Sequence, residues 1–347
     1  MVILGVETSC DDTCLALLEA KRGKFKTLVN FVSSQAKLHA KYGGVFPSLA
    51  KREHQKNLPL LFNKIKEGVS LSKIRLIGVS AGPGLEPCLW TGINFAKNLA
   101  QELKLPLVPV NHIEAHILIN FLKIKPLERP SFFPAIALIV SGGHTQLILM
   151  KKIGGYKILG ETRDDAAGEC LDKTARILGL EYPGGPAIAR IAKEFKKNKI
   201  KQAFSLPRPM ISQKNYHFSF SGLKTAVLYL VKDLTKGKKK LEKEKIIAIS
   251  REIQQAVIDV LLTKTIKAAK EFKAKSVIVG GGVSANQELR RQFRKELKKK
   301  VPLVRILFPE PKLSTDNALM TALSAYFHQK ETITPRKLEA KANLRLK

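Results

Sequence analysis

The sequence predicts an α/β fold made of two similar halves, and three glycine-marked junctions carry that expectation. The first runs Val2-Ile3-Leu4-Gly5-Val6, then the polar stretch Glu7 to Thr13, then Cys14-Leu15-Ala16-Leu17-Leu18. Apolar, polar, apolar at these lengths reads as strand, turn, strand: a hairpin whose tip holds hydroxyls and carboxylates. The second junction repeats the layout: Ala135 to Val140, then Ser141-Gly142-Gly143-His144-Thr145, then Gln146 to Met150. The third runs Ser276 to Val279, then Gly280-Gly281-Gly282, then a helix expected to open near Ser284 and to pass through Leu289 and Phe293. Two matching hairpins so far apart suggest a duplicated domain, and strands alternating with helices after each argue α/β.

The remaining elements follow from periodicity. Helices are expected at Ile93–Leu103, Asp172–Leu178, Ile246–Phe272 and Thr315–Phe327. The proline-bracketed stretch Pro126-Leu127-Glu128-Arg129-Pro130 reads as the linker that ends the first half. With 347 residues, 44% of them apolar, the chain can bury two medium cores.

Bulk composition narrows the setting. No apolar run approaches the roughly 20 residues that span a bilayer. The longest, Phe132 to Val140, contains Pro134 and reads as a buried strand. The N-terminus starts directly as a strand with no basic leader region, so no signal peptide is expected. Cys10, Cys14, Cys88 and Cys170 form neither a CxxC pair nor an even framework, which favours reduced thiols and a cytoplasmic home. Lys plus Arg number 61 against 29 Asp plus Glu, for a net charge of +32. Such a field attracts polyanions, nucleic acid among them, although a lysine-rich composition alone gives the same number. The dense stretches are residues 193–201, 236–245, 290–300 and 336–347, and several have the apolar spacing of solvated helix faces.

Several local patterns can carry chemistry. Glycines at a strand end let backbone N–H groups approach a phosphate with no Cβ in the way. Residues 141–145 and 280–282 both suit that use, or are simply turns; no GxxxxGK[ST] and no GxGxxG occurs. Asn111-His112-Ile113-Glu114-Ala115-His116 follows the strand Leu107 to Val110. Asn111 is a good N-cap, which puts His112 and His116 one turn apart on one helix face. Two imidazoles so placed can share a metal ion, or can merely cap and pack. Glu114 points off that face, so this is not the HExxH of zinc proteases. A carboxylate usually completes such a site, and Asp316 in Ser314-Thr315-Asp316-Asn317 is the candidate. Asp172, expected to begin a helix that the rigid turn Tyr182-Pro183-Gly184-Gly185-Pro186 follows, can bind hydroxyls or belong to a solvated acidic face.

These motifs, with Asp164-Asp165-Ala166-Ala167-Gly168-Glu169, Phe218-Ser219-Phe220-Ser221-Gly222 and Gly281-Gly282-Val283-Ser284-Ala285-Asn286, resemble the bacterial TsaD family in their order. These are the tRNA N(6)-adenosine threonylcarbamoyltransferases, and the resemblance runs from Ile3 to about Tyr326. It implies the fold of the actin, Hsp70 and sugar-kinase superfamily: two ribonuclease-H-like lobes around a nucleotide cleft. The N-terminal lobe would be residues 1–129, completed by a C-terminal helix at 315–347, and the C-terminal lobe residues 130–314. The resemblance implies one divalent metal, Fe(2+) or Zn(2+), on His112, His116 and Asp316. Catalytic carboxylates would be Asp11 and Asp12. Ile139, Val140, Ser141, Gly142, Gly143, Asp172, Gly185 and Asn286 would form the substrate pocket. The substrates would be threonylcarbamoyl-AMP and tRNAs reading codons that begin with adenine. A paralogous TsaB-type subunit and a TsaE-type ATPase would assist, with no membrane involved. Asp12 stands where the family often has Glu, Ala189 where it is often acidic, and Gly84 to Trp90 replaces a stretch of small residues. The rival readings are an ATP-dependent small-molecule kinase of the same superfamily, a metallopeptidase, and a non-catalytic tRNA-binding scaffold. If the basic surface tracks tRNA phosphates, the affinity for tRNA measured across a salt series should fall steeply as salt rises.

Overall fold

Each hairpin seeds a five-stranded sheet, and the two sheets have one topology. The computed structural model describes residues 1–197, 204–236 and 241–346, so parts of the basic stretches 193–201, 236–245 and 336–347 lie outside the described residues. In chain order the elements begin β1 (Val2–Glu7), β2 (Asp12–Lys21), β3 (Lys24–Ser34), α1 (Ala36–Ala40), α2 (Pro47–Gly68), β4 (Ile74–Gly82), α3 (Glu86–Leu103), β5 (Leu107–Asn111) and α4 (His112–Leu118). They continue β6 (Ala135–Val140), β7 (Thr145–Lys152), β8 (Gly155–Glu161), α5 (Ala167–Ile177), α6 (Gly184–Lys197), α7 (Ser221–Leu234), α8 (Lys243–Glu271), β9 (Ser276–Gly280), α9 (Gln287–Lys300), β10 (Arg305–Leu307) and α10 (Ala318–Phe327). The chain divides into two compact units, residues 1–131 with 315–347, and residues 132–314.

In the first unit the sheet order is β3-β2-β1-β4-β5, with β1 antiparallel to β2 and parallel to β4. In the second it is β8-β7-β6-β9-β10, with β6 antiparallel to β7 and parallel to β9. The expected duplication is therefore present at the level of topology. Every residue of β1 and of β6 is buried, as befits a central strand covered on both faces, and both read as near-continuous apolar runs. Gly5 and Gly78 let α10 lie directly on the first sheet: a Cβ on Gly5 would overlap the carbonyl of Ala318 and come within 2.9 Å of the Ala322 nitrogen. This close approach carries the start of α10 to the end of β1.

Three sequence expectations change. The C-terminal helix expected over 315–347 is confined to Ala318–Phe327. It starts there because the Asn317 side chain caps it, accepting from the Met320 N–H at 3.2 Å. It does not resume, because Ile333 donates to the Leu107 carbonyl at 2.9 Å, Pro335 opens a 3-10 turn, and Lys341 donates to the Ala81 carbonyl at 2.7 Å. The helix expected near Ser284 begins only at Gln287, after a 3-10 turn at Gly282–Ala285, because Asn286 is the residue whose side chain caps it. Finally, α3 and α5 start earlier than periodicity suggested, at Glu86 and Ala167.

The start of α7 is capped from a distance. Asp164 accepts from Phe220 N at 2.8 Å, Ser221 N at 3.2 Å, Ser221 Oγ at 2.7 Å and Ser219 Oγ at 2.5 Å. Partial burial acts to raise its pKa, but the hydrogen bonds from Ser219, Phe220 and Ser221 outweigh it and hold the carboxyl below the ordinary aspartate value. A carboxylate depressed in the folded chain stabilises above the unfolded-state pKa, and that contribution is lost as pH falls through the folded one. Asp164→Ala should therefore cost about 1 kcal/mol at neutral pH, the worth of a helix cap. In thermal unfolding, its gap to the parent chain should close below about pH 4. Gly5→Ala should be far worse, at several kcal/mol, because backbone must move; soluble yield and melting temperature report it.

Candidate active site

Chemistry-bearing side chains gather at one end of the first sheet, where β1 ends, β5 ends and α10 begins. Strand β5 runs straight into α4, and the Asn111 carboxamide accepts from Ile113 N at 2.9 Å and Glu114 N at 3.1 Å. That cap starts the helix at His112 and sets His112 and His116 on one face, with ring centroids 4.7 Å apart. Asp316, just before α10, lies 3.1 Å from His116 Nε2 and 3.7 Å from His112 Nε2. One ligand atom from each of the three residues lies within 4.8 Å of the others. Glu114 faces elsewhere and binds His328 Nε2 at 2.8 Å.

A fully buried carboxylate fixes His112. Glu7, at the end of β1, is 0% exposed, and its Oε2 lies 3.2 Å from His112 Nδ1. Ser9 Oγ is 3.1 Å from the same nitrogen. The other donors to Glu7 are Ser9 N at 2.8 Å, Thr321 Oγ1 at 3.2 Å and Ser80 Oγ. Burial acts to raise the Glu7 pKa, but His112 and then Ser80 hold it below the ordinary carboxylate range. Burial acts to lower His112, but Glu7 and Asp316 push it up to about 9. With Nδ1 engaged by Glu7, the Nε2 of His112 is turned to Asp316 and His116. This is the carboxylate–histidine arrangement that orients a metal-binding imidazole.

The donor set suits a divalent ion. Two imidazole nitrogens and a carboxylate oxygen are first-row transition-metal ligands. The buried Nδ1 of His116 has no hydrogen-bond partner among the described residues. Negative charge is concentrated here as well. Asp11, at the hairpin tip, is raised by burial and by Asp316. Asp12, at the start of β2, is raised by the same two causes to about 7, although Ser34 acts the other way. The Asp12 Oδ1 is buried with no hydrogen-bond partner among the described residues.

The second unit carries the glycine turn. Ile139 and Val140 end β6, and Ser141 to Gly143 form its tip. A Cβ on Gly142 or Gly143 would meet nothing within 4 Å, so packing does not explain these glycines. Gly168 packs on the same turn, with its N–H on the Ser141 carbonyl at 3.1 Å, and Gly281 fits against Val140. Asp172 on α5 accepts from Gly184 N at 2.7 Å and so ties α5 to the start of α6, beside Gly185. Asn286 is used structurally: its oxygen caps α9 at 2.9 and 3.0 Å, and its amide donates to Gln254 at 2.8 Å.

Sequence reasoning named the three clustered donors but missed Glu7, Ser80 and Thr321 as their support. The available sign was Glu7 itself, an acid directly after an unbroken apolar strand, where a charge demands a partner.

Comparison with known proteins gives a consistent picture. The family model for TsaD, described as tRNA N6-adenosine threonylcarbamoyltransferase, matches residues 26–323. A protein of that name from Thermosipho africanus (strain TCF52B) is 44% identical, with 100% of each chain covered. Another of that name, from Persephonella marina, is 45% identical over 100% of this chain and 96% of its own. Among solved structures, T.kodakarensis HypF aligns with a TM-score of 0.57 at 14% identity, covering 97% of this chain and 49% of that one, a likeness of fold.

His112→Ala and His116→Ala should each abolish stoichiometric retention of a divalent ion, read by elemental analysis after gel filtration. Glu7→Gln should keep the donors but weaken the affinity about 10- to 100-fold in chelator competition.

Proposed function

Because the chain belongs to the TsaD family of tRNA N6-adenosine threonylcarbamoyltransferases, we propose that it moves a threonylcarbamoyl group from threonylcarbamoyl-AMP to an adenosine N6 amine in tRNA. The target is the adenosine 3′ of the anticodon in tRNAs that read codons beginning with adenine. The observation that carries this reading is the His112, His116 and Asp316 donor set, backed by Glu7, beside the hairpin tip that bears Asp11 and Asp12.

The chemistry assigns work to each group. The donor is a mixed anhydride with AMP as leaving group. The adenine amine is a weak nucleophile because its lone pair is delocalised into the ring. Transfer therefore needs positioning, carbonyl polarisation and a proton acceptor. N6 forms the new bond to the carbamoyl carbon, the bond from that carbon to the phosphate oxygen breaks, and the N6 proton passes to a carboxylate. His112, His116 and Asp316 would hold a divalent ion, Fe(2+) or Zn(2+), which when bound would supply Lewis-acid polarisation of the carbamoyl group. Asp11 and Asp12 orient the amine and take its proton; burial raises both carboxyls, which makes them better proton acceptors. Ile139 to Gly143, with Asp172, Gly185 and Asn286, hold the AMP portion. The open backbone at Gly142 and Gly143 supports that assignment, since a phosphate can approach where no Cβ intervenes.

The partners follow from the family. A paralogous TsaB-type subunit and a TsaE-type ATPase work with the chain, and its place is the cytoplasm, in keeping with four free thiols. The stretch Gly84 to Trp90 resembles the helix that meets the paralogous subunit in the family, and with α2 it lines a groove of about 550 Å³ that we assign to that subunit.

Incubation with unmodified tRNA and threonylcarbamoyl-AMP, with and without both partners, followed by nucleoside mass spectrometry, should yield the modified adenosine. Its absence in every combination would sink the reading. Asp11→Asn and Asp12→Asn should each slow the transfer roughly 100-fold or more, with metal content retained.

A further inference from the structure

Tyr42 and Phe46 stand out among the aromatic side chains. They are 62% and 55% exposed, and they stack on one another with centroids 6.1 Å apart and planes 29° apart. Apolar rings left in water without cover are a sign of a binding surface.

The segment that carries them is braced from below. His39, fully buried in α1, accepts from Phe46 N at its Nδ1 (3.3 Å) and so donates from Nε2 to the Gln35 carboxamide oxygen (3.1 Å). The Gln35 amide lies 3.4 Å from both the Ala50 carbonyl and His54 Nδ1. His54, also fully buried, takes Thr13 Oγ1 at 2.8 Å on Nδ1 and donates from Nε2 to the Cys10 carbonyl at 3.0 Å. Gln35 N donates to the Asp11 carbonyl at 3.0 Å. One hydrogen-bond network thus joins the exposed pair to the hairpin tip that bears Asp11 and Asp12.

Charge says what would settle there. From Gln35 to Arg52 the sequence has four cations, Lys37, Lys41, Lys51 and Arg52, all exposed, and no carboxylate. Lysine is depleted at protein–protein interfaces, whereas aromatic rings among cations suit splayed nucleic-acid bases and their phosphates.

We propose that Tyr42 and Phe46 form a stacking platform for an unpaired anticodon-loop base next to the target adenosine, with Lys37 and Lys41 on the flanking phosphates. This rests on the transferase reading and adds how the loop is held open for it.

The test uses the full chain and an anticodon stem-loop RNA with 2-aminopurine on either side of the target adenosine, with the paralogous subunit present in every arm. The parent chain should quench one of the two probes. The Tyr42→Ala, Phe46→Ala double variant should bind about 10-fold more weakly and leave the probe unquenched. Tyr42→Phe should restore both readouts. Metal content and melting temperature should stay at parent values, since both rings are exposed. Parent-like affinity and quenching in the double variant would overturn the platform. So would an unchanged RNA affinity accompanied by lost association with the paralogous subunit or with a second copy. A parent chain that binds no tRNA would overturn the transferase reading and the platform with it.

Discussion

Glu7 has no contact with solvent, and the first unit is built to keep its charge in place. Its partners come from three other elements and the hairpin tip: β4 brings Ser80, α4 brings His112, α10 brings Thr321, and the Ser9 N–H follows β1. An isolated carboxylate in an apolar interior costs far more than the fold could bear, so each of these donors is required. Removing one member of a buried pair typically costs about 3–5 kcal/mol, because the other is left charged and alone. The same bonds that satisfy Glu7 turn His112 toward Asp316 and His116. Solvation of one buried acid and geometry of the candidate metal centre are therefore one constraint.

That constraint also joins distant parts of the chain. Thr321 and Asp316 come from the C-terminal segment, residues 315–347, which belongs to the first unit although the whole of the second precedes it in sequence. Gly5 and Gly78 make the return tight, because α10 meets the sheet backbone where a side chain would block it. The packing of α10 on β1 thus places the third donor.

The two sheets share an order and a pattern of strand senses, yet their hairpin tips diverge. The first tip gathers Asp11 and Asp12 near Asp316, an environment that raises both carboxyls and favours a cation. The second tip is Ser141-Gly142-Gly143, open backbone with no charge, which suits an anion. A repeated scaffold can carry opposite chemistry because the segment joining its first two strands is not fixed by the sheet pairing that the two units share. The buried Gln35, His39 and His54 network shows the same economy: polar groups in the interior, each satisfied, fix the position of an exposed loop.

What the sequence determined by itself was local. Alternation of apolar and polar runs set the two hairpins, Asn111 set the start of α4, and the four-residue spacing set His112 and His116 on one face. Each depends on neighbours within a turn or two, where backbone geometry is regular. The tertiary structure alone decided the rest. Asp316 meets His116 across 200 residues of sequence. Asp164 caps a helix that begins 57 residues later. Asn286 caps α9 with its side-chain oxygen and donates its amide to Gln254, 32 residues earlier. The helix expected to the C-terminus ends at Phe327, because Ile333 pairs with β5 instead. No periodicity carries such facts, because they depend on which elements the sheets bring side by side and on how closely glycine lets them approach.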